Sequence, residues 1–339
     1  KLVLEYPNEE VAQQALKTAK EISIDLATVD VFASWVKQLE GVTVDENELE
    51  RASFRSAERL FNENKKKGAL KAFSSYLNEY PNGANQLQAQ FLCAELNFQD
   101  GKWELAAENY MRVLDQSTNE YSEQSLVRIT QALVNNELAS SALPYWKTLE
   151  DIAQFDENKR YALFNLMQLY YEQEQFLEAI AYAQKVILLK SLAPKIKWDA
   201  YRILARSALV LKDNNKAGEA YAVLENAPDA SLAVEALYFN AKKKHLIYDY
   251  KGSNKLIEKI AKDFGNFPEW SVKSLLLMSQ NFYQLDDAFQ ASFILKSILT
   301  NFTQFPEIIK QAQSDLDNIK AIEAQNNSSI KVKEENEKN

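Results

Sequence analysis

The chain has 339 residues, of which Gly and Pro number seven each, about 2% apiece where average usage is roughly 7% and 5%, so the turn-rich all-β and α/β classes are excluded in favour of an almost wholly helical protein. A formal charge of −9, from 48 acidic against 39 basic residues, disfavours a nucleic-acid binder. No stretch approaches the ~18–20 uninterrupted apolar residues of a membrane helix, and a single cysteine forbids an intramolecular disulfide and leaves the compartment open.

In chain order, the opening "KLVLEYPNEE" carries one Lys and three apolar residues before turning polar, which is not a signal peptide. It lacks an initiator Met and reads as the tail of a repeat, so the expectation is a fragment or mature portion. Its EYPN (Glu5–Asn8) returns at Glu79–Asn82, an offset of 74 residues. Half of that is 37, and region 1–48 is read as divergent repeat with Phe32, Val36 and Leu39 on one helical face.

Region 49–305 makes the period explicit. In "GKWELAAENYMRVL" the residues Trp103, Ala106, Tyr110 and Val113 share one face of a helix. The same frame recurs with a small residue at Ala69, Ala106, Ala142, Ala179, Ala217, Ser253 and Ala291, in steps of 37, 36, 37, 38, 36 and 38. Each unit is thus a helical hairpin, with the small residue where its two helices cross closely, and a hairpin buries its apolar faces only by stacking on neighbours. Pro7, Pro81, Pro194, Pro228, Pro268 and Pro306 fall between units, where a missing N–H costs nothing. Pro144 falls inside a second helix and predicts a displaced start or a distortion. Helix 306–324 is expected to cap the seventh clear unit, and 325–339, "QNNSSIKVKEENEKN", has little to bury and is expected to be disordered.

These columns resemble the tetratricopeptide repeat (TPR). "QFLCAELNFQDGKWELAAENYMRVL" carries Gly101, Trp103, Ala106 and Tyr110 in that family's order, with a period slightly above the usual ~34. The general resemblance covers about 49–305 and implies an all-α, right-handed α-solenoid of helical hairpins. More narrowly, "AFSSYLNEYPNGANQLQAQFLCAELNF" (Ala72–Phe98) looks like the cell-envelope branch: Tol–Pal coordinator proteins, outer-membrane assembly lipoproteins and large Bacteroidetes TPR proteins. Cys93 and Ala94 stand where that branch carries glycine. What the narrower resemblance implies is a non-enzymatic scaffold in the periplasm or on the periplasmic face of the outer membrane; a cytoplasmic setting is the alternative.

Little in the chain suggests chemistry. His245 is the sole histidine and sits beside three lysines with no carboxylate cluster to complete a zinc site. Cys93 lies on a helix seam, where an apolar site makes a thiol inert. No phosphate loop, GxGxxG, nucleophile elbow or HExxH occurs, so no catalytic residue, metal or cofactor is expected. Asp286-Asp287 and Glu150-Asp151 read as capping pairs.

Function is therefore expected on the surface that stacking creates. Three columns of the first helices are predicted to line a concave groove. One column contains Phe54, Phe91, Phe164 and Arg202, with Val127, Tyr238 and Leu276 at the same position. Another contains Phe61, Phe98 and Tyr171, with Val134, Leu209, His245 and Tyr283. Between them runs a polar column of Glu58, Glu95, Gln131, Gln168, Arg206, Lys242 and Gln280. Aromatic and amide side chains suit a peptide, and the Arg202–Lys242 region suits a carboxylate or phosphate. The competing reading is that the aromatics pack between first helices and that Asp199 and Glu235, one turn of register away, neutralise Arg206 and Lys242. The functional expectation is a scaffold binding a protein or peptide in the groove, with no nucleic acid and no integral membrane segment. Its alternative is a structural segment of a longer scaffold whose partners bind the ends or the convex face.

Overall fold

The computed structural model describes residues 2–5, 9–39, 42, 45–190 and 192–337; for Leu2, Leu4 and 326–337 only the backbone is considered. It falls into two compact units, Lys1–Leu169 and Tyr170–Asn339. Among the described residues every regular element is a helix. The first copy of EYPN, with Pro7, lies largely outside the described residues.

In the first unit, α1 (Leu2–Glu5), α2 (Glu10–Leu26) and α3 (Val29–Val36) form the divergent start. Hairpins follow from α4 (Glu46–Asn62) and α5 (Lys66–Glu79), then α6 (Gln86–Gln99) and α7 (Trp103–Leu114). Next come α8 (Ser122–Asn135) and α9 (Leu143–Ile152), then α10 (Asp156–Glu172), within which the unit boundary falls. The second unit continues with α11 (Phe176–Ile187), α12 (Pro194–Val210) and α13 (Asn214–Leu224). It ends with α14 (Ala230–Leu246), α15 (Tyr250–Asp263), α16 (Pro268–Gln284), α17 (Ala288–Asn301) and α18 (Pro306–Glu337). Within each unit a first helix packs on its own second helix and on the second helix before it, as α6 does on α7 and α5, and α16 on α17 and α15. Each unit is an all-α stack of hairpins.

The hairpin turn repeats more faithfully than any residue type. Among the described residues, positive φ of 56–71° occurs at Ala27, Asn64, Gly101, Glu137, Glu174, Lys212, Tyr248 and Asp286. In every case the next N–H donates to the carbonyl five residues back, at 2.8–2.9 Å, from Thr28 to Ser23 through Asp287 to Phe282. That is a Schellman closure, which satisfies a carbonyl the helix end would leave orphaned. The second helix then begins at once. In the second unit Asp213, Asp249 and Asp287 cap it by accepting from the N–H three residues on, at 2.9–3.0 Å. Asp287 is thus one of the capping residues expected, and Asp286 beside it occupies the left-handed position.

Five residues after each left-handed residue comes the crossing. Ala69, Ala106, Ala142, Ala179, Ala217, Ser253 and Ala291 are all fully buried. So soon after a two-residue turn the helices have not diverged, and the gap admits little beyond a methyl group. At Ser253 the hydroxyl donates to the Ala241 carbonyl of the facing helix at 2.8 Å. Ala27 and Phe32 keep the five-residue interval, so the divergent unit shares the turn although a buried phenylalanine fills its crossing.

The prolines act locally as expected: Pro194, Pro268 and Pro306 open α12, α16 and α18. Pro144 displaces the start of its helix, where a 3₁₀ turn over Ala139–Ala142 precedes α9 and leaves Pro144 near the N-terminus. At the second EYPN, a Cβ on Gly83 would meet the Tyr76 hydroxyl at 2.6 Å and Glu50 Oε1 at 2.8 Å, so any larger residue there must displace that hydrogen-bonded pair. The last helix runs through Glu337, past the end at 324 that loss of apolar residues suggests; no Gly or Pro follows Pro306 to stop it.

Turn strain is testable. Glu137→Gly and Glu174→Gly relieve a left-handed cost of about 1–2 kcal/mol against a glycine entropy cost of about 0.5–1 kcal/mol. Each should therefore move the urea midpoint upward by about 0.5–1 kcal/mol of stability, and Gly101→Ala should move it downward by a similar amount.

Candidate functional site

In the first unit the predicted groove residues divide between core and surface. Phe54 and Phe91 are only 5% and 7% exposed. Phe54 packs on Phe73 and Tyr76, at centroid distances of 5.8 and 5.6 Å. Phe91 stacks on Tyr121 at 4.6 Å. Both rings fill seams between helices, because a first helix flanked by two second helices must turn apolar residues to both. Phe61, Phe98, Phe164, Glu58, Gln131 and Gln168 are half-buried. Phe98 lies against Trp103 at 5.1 Å and carries the Arg128 guanidinium 4.8 Å above its ring.

Glu95, placed by sequence on the groove's polar column, is buried. It accepts from the Tyr110 hydroxyl at 2.6 Å and from Arg128 Nε at 3.2 Å. Glu95, Tyr110 and Arg128 come from α6, α7 and α8, so the cluster joins three successive helices. Gln131 accepts from Arg128 Nη1 at 3.1 Å. Burial and the bond to Glu95 push the Tyr110 hydroxyl well above the ordinary tyrosine value, which keeps it a donor.

The second unit builds the same arrangement with the charges exchanged between first helices. Arg206 on α12 pairs with Glu235 on α14 through two bonds of 3.0 and 2.6 Å, and Glu235 also accepts from Tyr221 of α13 at 2.8 Å. Bidentate pairing of this kind is strong and directional. Arg202 pairs with Asp199 at 3.2 Å and lies 5.8 Å from the Tyr171 ring centre. The basic stretch expected to receive an anion is thus neutralised at Arg202 and Arg206; the sequence raised this outcome for Arg206 and for Lys242, and Lys242 has no ion-pair partner among the described residues. Lys242 is exposed.

A third cluster in the same unit contains no carboxylate and is built from amide, hydroxyl and imidazole groups. Asn281 Nδ2 donates to Ser253 Oγ at 2.8 Å and to Asn254 Oδ1 at 2.7 Å. Its Oδ1 is left to accept, so His245 Nδ1 is the donor across their 2.6 Å contact. This accounts for the one histidine as a helix-to-helix fastener. Among the described residues no group of three or more His, Cys, Asp or Glu is placed to hold a metal ion. Nor is any of their helices long and apolar enough to cross a membrane.

The second unit also contains a cleft of about 910 Å³ beside the Arg206–Glu235 pair. Its floor is aromatic. Tyr221 stacks on Phe239 at 4.4 Å, and Tyr238 meets Trp270 at 5.4 Å. Leu209, Val210, Leu246 and Ile247, at the ends of α12 and α14, form an aliphatic lip, and Asn214 and Asn215 add amides. Lys242, Lys243 and Lys273 stand on the rim. Lys273 pairs with Glu269 at 2.5 Å and sits over Trp270 at 4.8 Å. Of the predicted column residues, the cleft gathers Arg206, Leu209, Tyr238 and Lys242 but not Arg202 or Tyr171. Sequence columns missed Trp270, Lys273 and the Leu246–Ile247 edge, because these lie at helix ends outside the repeating face. Lys243 was legible only as part of a basic run.

No family model matches the chain, and no curated protein matches it. Solved structures do. The C-terminal part of a TPR repeat-containing protein from Cytophaga hutchinsonii is 19% identical, covering 76% of this chain and 98% of that one, with a TM-score of 0.46. YrrB, a TPR protein with an unusual peptide-binding site, is 18% identical over 55% of this chain and 90% of its own, with a TM-score of 0.40. A tetratricopeptide repeat protein from Parabacteroides merdae is 12% identical over 79% of this chain and all (100%) of its own, with a TM-score of 0.39. These likenesses assign this chain no ligand and no partner.

Two measurements check the site chemistry. Tyr110→Phe should cost about 1 kcal/mol, and Arg128→Ala about 1.5–3 kcal/mol because Glu95 then lacks its counter-charge; urea unfolding reads both. Burial pushes the Cys93 thiol up to about 11, a hydrogen bond with Ser74 acting the other way. Iodoacetamide at neutral pH should accordingly label Cys93 only after denaturation.

Proposed function

We propose that this chain is a non-catalytic scaffold that binds a protein or peptide segment through its first-helix surface, with the second unit's cleft as the seat. The observation that carries this reading is the combination in that cleft of an aromatic floor, an exposed aliphatic lip and lysines on one rim. It offers apolar area and orienting charge without any group that reacts. Glu95, Arg202 and Arg206 then act as structural ties, and Lys242 is the member of the predicted polar column that meets the partner.

The setting we propose is a bacterial envelope assembly, with the protein in the periplasm or on the periplasmic face of the outer membrane. That part rests on the likeness of Ala72–Phe98 to envelope repeat proteins. A second reading, a structural segment contacted elsewhere, draws support from Phe289, Phe293 and Leu177, large apolar residues exposed on the second helices α17 and α11.

Affinity capture from a source-cell extract separates the two. Wild type is compared with Leu246→Asp/Ile247→Asp, a pair at exposed positions, after circular dichroism confirms equal helicity. Loss of a captured protein with the variant is the expected result. Capture of the same proteins by both would move the function to the exposed second-helix faces, and capture of nothing specific by either would count against a scaffold.

A further inference from the structure

We propose that the second unit's cleft receives an amphipathic helix whose polar face is acidic; this deepens the scaffold reading and rests on it. Charge selects the acidic face. Of the cleft's cations, Arg206 is held by Glu235 and Lys273 by Glu269. Lys242 and Lys243 have no ion-pair partner among the described residues and are exposed. The Lys243 ammonium lies over the backbone of α13, where a Cβ added to Gly218 would come within 3.2 Å of Nζ. Two adjacent uncompensated ammonium groups, on a chain of net charge −9, make this rim complementary to carboxylates.

The apolar side selects a helix. Leu246 and Ile247 are 61% and 64% exposed, and Tyr248 next to them is 79% exposed. The cleft walls are helices whose backbone groups bond internally, so they present side chains and no strand edge. A helix brings its own N–H and C=O groups already paired, so it can seat on this aliphatic lip through side chains alone. The occupant therefore lays aliphatic residues on Leu209, Val210, Leu246 and Ile247 and sets its carboxylates on Lys242 and Lys243.

The test uses the full chain and fluorescein-labelled synthetic peptides of about 18 residues, beyond the ~12–15 below which isolated helices are marginal. One peptide carries a leucine face and a glutamate face. A second has the same composition scrambled, and a third replaces glutamate by lysine. Anisotropy titration should show binding of the acidic amphipathic peptide and at least tenfold weaker binding of the other two. Lys242→Glu/Lys243→Glu should weaken the acidic peptide at least tenfold and favour the lysine peptide, while Leu246→Asp should weaken both. Equal binding of the scrambled peptide, unchanged affinity in both variants, or no binding by the wild type would overturn the assignment. If the extract-captured protein still depends on Leu246 and Ile247 while no peptide binds, the scaffold reading stands and the acidic-helix assignment falls.

Discussion

The close approach of two helices immediately after a two-residue turn is the constraint on which the rest of this structure depends. A left-handed residue ends the first helix, the next N–H closes the Schellman bond, and the second helix starts without a spacer. Five residues beyond the left-handed position the helices are still within a side chain's width. That site is therefore Ala or Ser in seven units and fully buried in all of them. A longer turn would relax the requirement and release the register of every apolar residue downstream. The turn and crossing recur every 36–38 residues, the span that two helices and the connection to the next hairpin occupy.

Stacking then creates a second problem, the polar residues that first helices turn toward one another. The chain solves it by joining three helices at a time. Tyr110, Glu95 and Arg128 do so in the first unit, and Tyr221, Glu235 and Arg206 in the second, with acid and base exchanged between first helices. His245, Asn281 and Ser253 provide a counterpart without a carboxylate. In each, a buried polar group finds partners on both neighbours, which avoids the cost of leaving it unpaired. The tyrosine is part of the design, because its hydroxyl reaches the carboxylate from an otherwise apolar second helix. Charges that look available along one helix are consumed in this way, so the unpaired lysines of the cleft stand out.

Much of the fold was legible in the sequence. Small residues at Ala69 through Ala291 announce the crossings, and the prolines mark the junctions. Pro144 announces a late helix start, as the 3₁₀ turn confirms. The candidate site was less legible. Phe54 and Phe91 share a helical face with residues that see solvent, yet both belong to seams, because periodicity gives the direction of a side chain and not the neighbour that covers it. Register leaves open whether Arg206 faces a ligand or Glu235, 29 residues later, and only the folded arrangement shows the carboxylate against it. The turn column was hard to see for another reason: beyond Gly101, Asn64 and Asp286, its residues are types that rarely adopt positive φ.

By itself, then, the sequence determined the helical class, the period, the hairpin unit and the places where helices must touch. These depend on local preference and on spacing along one chain, and both are written in residue order. Tertiary structure decided which polar residues are spent in holding helices together, which aromatics are covered, and where a cleft remains. Those outcomes depend on residues about one repeat apart in sequence and a few ångströms apart in space. Pairing energies between such residues, as between Arg206 and Glu235, exist only after the hairpins have stacked.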